Sequence, residues 1–157
     1  MERLNRATNL LEISVNKYDD LLVIDCGDLS VFEKFAVLSS RVDAIAEDAE
    51  KELERVNSRH EGEDQASAEL IGDYVGVNIG FSKKVLAELD GIFGEGFTDK
   101  AFRENYEVNP DFVPDEIAIA ELIEALVPVM EKAYGERIRR NKSKYSATKR
   151  GKYTAVE

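Results

Sequence analysis

The side chains that could catalyse a reaction are few and far apart in this sequence. Nucleophilic catalysis needs a serine, cysteine or threonine beside a tuned base, and histidine is the commonest base. His60, the only histidine, lies in the polar segment 60–65, where we expect a solvated connector. Cys26, the only cysteine, follows an apolar run and is expected to be a buried small side chain. We therefore predict that the chain is not an enzyme.

The sequence also indicates no site for a metal ion or a cofactor. Glu61, Glu63 and Asp64 could attract a divalent cation, but their spacing does not match a calcium-binding loop. The segment 91–96 holds three glycines, yet it lacks the lysine and hydroxyl residue of a phosphate-binding loop. We interpret the acids as solvated surface and the glycines as a turn, and we predict neither a metal nor a cofactor.

Basic residues dominate the C-terminal segment, 137–157. The segment holds eight lysines and arginines and one acid, a net charge of +7 in a chain whose net charge is −11. With so few apolar residues, it is expected to be a disordered basic tail. Three roles stay open: folding onto a protein partner, contacting nucleic acid, or solubilising the chain. Its basic residues are Arg137, Arg139, Arg140, Lys142, Lys144, Lys149, Arg150 and Lys152, and Tyr145 lies among them.

The remaining residues, 1–136, carry a net charge of −18 and have the size of one domain. We predict a single acidic domain, which would repel nucleic acid. A lone cysteine excludes an intrachain disulfide, and the sequence shows neither a signal peptide nor an apolar run of about 18 residues. We therefore expect a cytoplasmic protein that does not span a membrane.

A β-hairpin over 10–25 and a helix over about 30–59 are the first predicted elements. Two apolar runs, 10–15 and 21–25, flank a turn-prone polar segment. Ser30 and Glu33 have the spacing of a capping box at the start of the helix. Apolar residues then recur every three or four positions along that helix: Phe35, Leu38, Val42, Ile45, Ala49, Leu53 and Val56.

The next helix, about 67–93, contains a glycine stripe, Gly72, Gly76 and Gly80, at every fourth residue. Each glycine costs a helix about 1 kcal/mol relative to alanine, so we predict that another backbone packs closely against the stripe. On that hypothesis Gly76→Leu would unfold the protein or abolish a contact. Apolar and polar residues also alternate over 74–81, so the sequence does not decide there between helix and strand.

Two further helices complete the predicted fold, at about 98–106 and 114–134. Pro114 suits the first turn of the last helix, because a proline there loses no helical hydrogen bond. The predicted fold is therefore mainly α (α+β), with an N-terminal β-hairpin, about four helices and a disordered basic C-terminal tail.

A resemblance to a known family comes from segment 89–102, whose sequence is LDGIFGEGFTDKAF. The hairpin, the acidic turn at 25–28, a final helix and a basic end at 139–146 follow the same order. This combination resembles the tail assembly chaperones of long-tailed bacteriophages and prophages. The resemblance implies a non-catalytic protein of the bacterial host cytoplasm, which binds the tape-measure protein while the tail tube assembles. No catalytic residues carry over, since the family has none.

Partner binding is accordingly the expected activity, with the tape-measure protein as partner, the tail-tube protein as a second one, and self-association as a further expectation. Two alternatives stay open: a nucleic-acid-associated regulator that acts through the basic tail, and a structural virion component. The expected partner-binding residues are the glycine stripe, two phenylalanines and the tail: Gly72, Gly76, Gly80, Phe93, Phe97, Arg137, Arg139, Arg140, Lys142, Lys144, Tyr145, Lys149, Arg150 and Lys152.

Overall fold

A computed structural model of the chain describes residues 2–4, 6, 8–62 and 67–156, with side chains as far as Lys142. It has a two-stranded antiparallel sheet followed by helices, which confirms the predicted mainly helical fold with an N-terminal hairpin. In chain order the elements are β1 (Leu10–Ser14), β2 (Leu21–Asp25), α1 (Leu29–Arg59), α2 (Ala68–Phe93), α3 (Phe97–Ala101), α4 (Arg103–Val108) and α5 (Glu116–Val156).

Two of the predicted helices differ from the observed ones. Over 74–81, where the sequence did not decide between helix and strand, the chain is helical as part of α2. The helix predicted over 98–106 is two short helices, because the chain leaves helical geometry at Phe102, whose ring is buried against Phe112. The last helix does not end near Tyr134, and α5 continues to Val156.

The predicted basic tail begins inside helix α5. Residues 137–142 are helical, because lysine and arginine have high helix propensity and Glu136 pairs with Arg139 one turn later. The side chains of 143–157 lie outside the described part of the chain, so mobility of the free tail stays a prediction.

Helix α1 is capped by Asp28, not by the predicted pair Ser30 and Glu33. Oδ1 of Asp28 accepts hydrogen bonds from the backbone N of Ser30 at 2.9 Å and from its Oγ at 2.6 Å. These two bonds hold the pKa of Asp28 below its usual value. Aspartate and serine are both strong N-caps, but only the aspartate adds a negative charge at the positive end of the helix dipole.

The core forms where the inner face of the hairpin packs against the helices. Leu22 and Ile24 of β2 are buried, while Leu21 and Val23 between them remain exposed. Cys26 continues the inner face and is buried, as predicted. The buried helical residues of this core are Leu38 of α1, Val85, Leu89 and Ile92 of α2, Phe97 of α3, and Ile119, Leu126, Met130 and Ala133 of α5.

Helices α1 and α2 form an antiparallel pair joined through residues 60–67. Midway along α1, Nε of Arg41 lies 2.8 Å from Oε2 of Glu88. At the turn between the helices, Nε2 of His60 lies 2.6 Å from Oδ2 of Asp73. The early part of each helix therefore lies against the late part of the other, and α2 returns the chain to the hairpin.

The segment 90–98 turns the chain sharply between α2 and α3. Gly94 and Gly96 have positive φ angles of 110° and 83°, which side chains rarely allow. The carboxylate of Asp90 accepts hydrogen bonds from the backbone N of Thr98 at 2.8 Å and from its Oγ1 at 3.1 Å. The glycine-rich segment is thus a structural turn, as predicted, and Asp90 holds it closed.

The tip of the hairpin is fixed to α3 and α4 by polar contacts. Nδ2 of Asn16 donates to the carbonyl of Lys100 at 2.9 Å, and Nη1 of Arg103 lies 2.9 Å from Oδ2 of Asp20. The guanidinium of Arg103 also stacks 4.1 Å from the ring centre of Tyr18. Hydrogen bonds from Asn16 and Arg103 lower the pKa of Asp20.

We predict that Leu89→Ala lowers the free energy of unfolding by about 2–5 kcal/mol, because the side chain is fully buried and its removal leaves a cavity. Leu29→Ala is the matched control: Leu29 is 64% exposed, and its loss should cost under about 0.5 kcal/mol. Denaturant unfolding measures both. Equal costs for the two variants would contradict the core described above.

We predict that Arg103→Gln raises the pKa of Asp20 toward the ordinary value without reaching it, because the hydrogen bond from Asn16 remains. A lowered folded-state pKa stabilises the fold above the unfolded pKa of about 3.9, and this contribution is lost as the pH falls through the folded pKa. NMR titration of the Asp20 carboxyl measures the shift. Arg139→Gln is the control: it removes the ion pair with Glu136 and should leave the pKa of Asp20 unchanged.

Candidate partner-binding groove

An open groove lies between α1 and α2 and follows the glycine stripe. Its volume is about 370 Å³. One wall comes from α1 and the other from α2, and the stripe forms part of the second wall. The lining residues are Ile45, Ala49 and Glu52 of α1, and Gly72, Asp73, Gly76, Val77, Gly80, Phe81 and Lys84 of α2.

The groove exists because the glycines carry no side chains where α2 faces open space. A β-carbon at Gly72, Gly76 or Gly80 would meet no heavy atom within 4 Å beyond its own stretch of helix. No other backbone packs against the stripe among the described residues, so the predicted close approach is not found in that part of the chain. Contact of the stripe with a second molecule stays a prediction.

The lining of the groove combines apolar and charged side chains. Ile45, Val77 and Phe81 supply aliphatic and aromatic surface, while Glu52 and Asp73 supply negative charges and Lys84 a positive one. Grooves of this composition accept the apolar face of an amphipathic helix, with charged residues at the edge to fix its orientation.

Exposed apolar side chains extend this surface along α2. Ile71 and Val75, each one position before a glycine of the stripe, are about half exposed at 52% and 48%. Apolar side chains on the solvated side of a helix are common singly, but these two are one helical turn apart. They widen the apolar surface available beside the groove.

The two phenylalanines expected to bind a partner lie in or against the core. Their ring centres are 5.1 Å apart, and the ring of Phe93 also packs edge to face on Phe35 at 6.2 Å. Phe97 is buried, while Phe93 is partly exposed. The structure therefore places Phe97 as a core residue of the turn and leaves Phe93 partly accessible.

The structure describes the side chains of the expected tail residues only as far as Lys142. Arg137, Arg139, Arg140 and Lys142 lie on α5, and the guanidinium of Arg140 lies 3.4 Å from where a β-carbon on Gly27 would be. The beginning of the predicted tail thus packs against the turn between β2 and α1. The other five expected residues lie outside the described side chains: Lys144, Tyr145, Lys149, Arg150 and Lys152.

His60 is not the solvated linker residue that the sequence predicted. Its side chain is only 5% exposed and shares a 2.6 Å hydrogen bond with Asp73. The prediction failed because the residue lies among acids and glycine, whereas its partner is on α2, 13 residues later. The only signal was that a short connection between two helices brings the end of one beside the start of the next.

The environment of Cys26 disfavours a nucleophilic thiolate. Burial, and to a lesser degree the nearby carboxylates of Glu136 and Asp25, raise the pKa of the Cys26 thiol. A thiol with a raised pKa stays protonated near neutral pH and reacts slowly. The arrangement therefore suits a packing role in the core.

Comparisons of the chain with protein-family models, with curated proteins and with solved structures found no match. Across the described residues, no helix combines the length and the apolar composition needed to cross a lipid bilayer. The groove and the exposed side chains of Ile71 and Val75 beside it are surface that a partner could contact.

We predict that Gly76→Ala raises the free energy of unfolding by about 0.5–1 kcal/mol, because the helix gains propensity and the added methyl group meets no neighbour. Gly96→Ala is the matched control, and it should lower the free energy of unfolding. Gly96 has a φ of 83°, so alanine there should cost about 1–2 kcal/mol. Denaturant unfolding measures both, and destabilisation by Gly76→Ala would show that the stripe is packed.

Proposed function

We propose that this protein is a non-catalytic tail assembly chaperone of a long-tailed bacteriophage or prophage, which binds the tape-measure protein in the host cytoplasm. The observation that carries the proposal is the open groove along Gly72, Gly76 and Gly80, which Ile45, Val77 and Phe81 line with apolar surface. The resemblance of segment 89–102 to the family supplies the identity of the client.

The groove suits a helical client because it offers apolar surface and close access to a backbone. Side chains spaced three or four residues apart on one helix would reach Ile45, Val77 and Phe81. Glycines let the two helix axes approach more closely than larger residues would. The propensity cost of about 1 kcal/mol per glycine is then offset by contacts made only in the complex.

The charge of the chain supports the same role. An acidic body disfavours self-association of the chaperone, which leaves its apolar surface available to the client. The basic residues of 137–157 could at the same time contact acidic stretches of the client. A chaperone that holds its client soluble must itself stay soluble while it covers the apolar surface of the client.

We expect Gly76→Leu to weaken binding of a helical tape-measure segment at least about tenfold, or roughly 1.4 kcal/mol, because the leucine fills the groove. The melting temperature of the free protein should not fall, since a β-carbon at Gly76 has open space around it. The affinity is measured by isothermal titration calorimetry with a segment of the tape-measure protein encoded downstream of the gene for this chain. Gly135→Leu, on α5 and also in open space, is the matched control.

Equal affinity in the wild-type, Gly76→Leu and Gly135→Leu proteins would argue against the groove as the client site. A truncation after Lys142 separates the role of the tail, and it spares Arg140, which packs beside Gly27. If DNA or RNA binds instead, with a steep salt dependence that the truncation abolishes, the protein is a nucleic-acid-associated regulator. Presence of the chain in purified virions would indicate a structural component.

A further inference from the structure

A histidine and two carboxylates converge at the turn between α1 and α2. His60 ends α1, while Glu69 and Asp73 lie one turn apart near the start of α2. Each of the three offers one ligand atom, and these atoms all lie within 4.8 Å of one another. The i, i+4 spacing of Glu69 and Asp73 places both carboxylates on the same side of the helix, facing the imidazole.

We propose that His60, Glu69 and Asp73 bind one divalent transition-metal ion of the Zn²⁺ type. The imidazole nitrogen and two carboxylate oxygens are ligands that Zn²⁺ accepts, and a water molecule would complete a four-coordinate sphere. A nitrogen ligand disfavours Ca²⁺ and Mg²⁺, which prefer sites made of oxygen alone. The site adjoins the proposed client groove and shares Asp73 with it.

The burial of His60 distinguishes this group from an ordinary acidic surface. The ring is 5% exposed, and its Nε2 points at the carboxylate of Asp73 from 2.6 Å. A buried ring loses little further freedom when it ligates an ion, so this nitrogen is already oriented for binding. Asp73 is one-third exposed and Glu69 is exposed, which leaves a path for the ion to enter.

Small side-chain movements would complete the coordination sphere. Bonds of about 2.0–2.1 Å in a tetrahedral site put the ligand atoms about 3.3–3.5 Å apart. The His60–Asp73 hydrogen bond must therefore open by under about 1 Å, while Glu69 rotates toward the pair. In the metal-bound site the ion takes the place of the hydrogen bond between His60 and Asp73.

Charge favours the same ion. The carboxylates of Glu69 and Asp73 repel each other at this spacing, and a dication between them converts that repulsion into attraction. The site would join the end of α1 to the start of α2. If only the folded chain binds the ion, the melting temperature of the protein rises with increasing metal concentration.

The experiment titrates Zn²⁺ alone into the tag-free full chain, after treatment with a chelator and buffer exchange. Calorimetry should show one saturable site, and Co²⁺ as a substitute should give the visible absorption of a four-coordinate ion. Glu69→Gln removes a ligand while nearly preserving the shape of the side chain. Glu61→Gln is the matched control, because Glu61 is an exposed acid of the same turn outside the group.

We expect Glu69→Gln to weaken Zn²⁺ binding at least about tenfold and His60→Gln to abolish it, while Glu61→Gln changes it less than about twofold. Should His60→Gln fail to fold, Glu69→Gln still decides, since Glu69 is exposed and the metal-free melting temperature reports any structural damage. The proposal is overturned if the full chain shows no saturable Zn²⁺ binding, or if Glu69→Gln and Glu61→Gln bind equally. Client binding by the groove is measured separately, so either proposal can fail alone.

Discussion

The complete burial of Val85 and Leu89 on α2 is the constraint on which the rest of the structure depends. Both side chains are fully inaccessible, and they belong to the same core as the inner face of the hairpin, α1 and α5. Burial of this kind stabilises the fold by about 1.5–3 kcal/mol per side chain, whereas a solvent-exposed ion pair typically contributes about 0–1 kcal/mol. The second half of α2 is thereby fixed, and the turn held by Asp90 begins where that half ends.

The first half of α2 is organised differently from the second half. Its glycines face open space and line the groove that α2 forms with α1. The polar pair of His60 and Asp73 closes this end of the helical hairpin. The second half of α2 is therefore fixed by the core, whereas the first half stays available for a ligand or a partner.

Local patterns in the sequence predicted much of the fold, because they depend on residues near one another. Two apolar runs around a turn-prone polar segment predicted the hairpin over 10–25, and three-and-four spacing predicted α1 and α2 within two residues of their ends. The break at Phe102 was missed because it depends on an aromatic contact with Phe112, and the burial of His60 was missed because it depends on Asp73. Contacts between distant segments leave little trace in a single sequence, and the candidate sites of this protein consist of such contacts.

The division of α2 has a consequence for local opening. A helix whose ends differ in burial does not open as a unit: amide protons in the glycine-containing half can exchange with solvent through partial fraying. Those beside Val85 and Leu89 exchange only when the core itself is disrupted. The free-energy cost of local opening thus changes within a single helix, between Gly80 and Val85. The residues that line the groove can therefore fluctuate on a faster timescale than the buried half of α2.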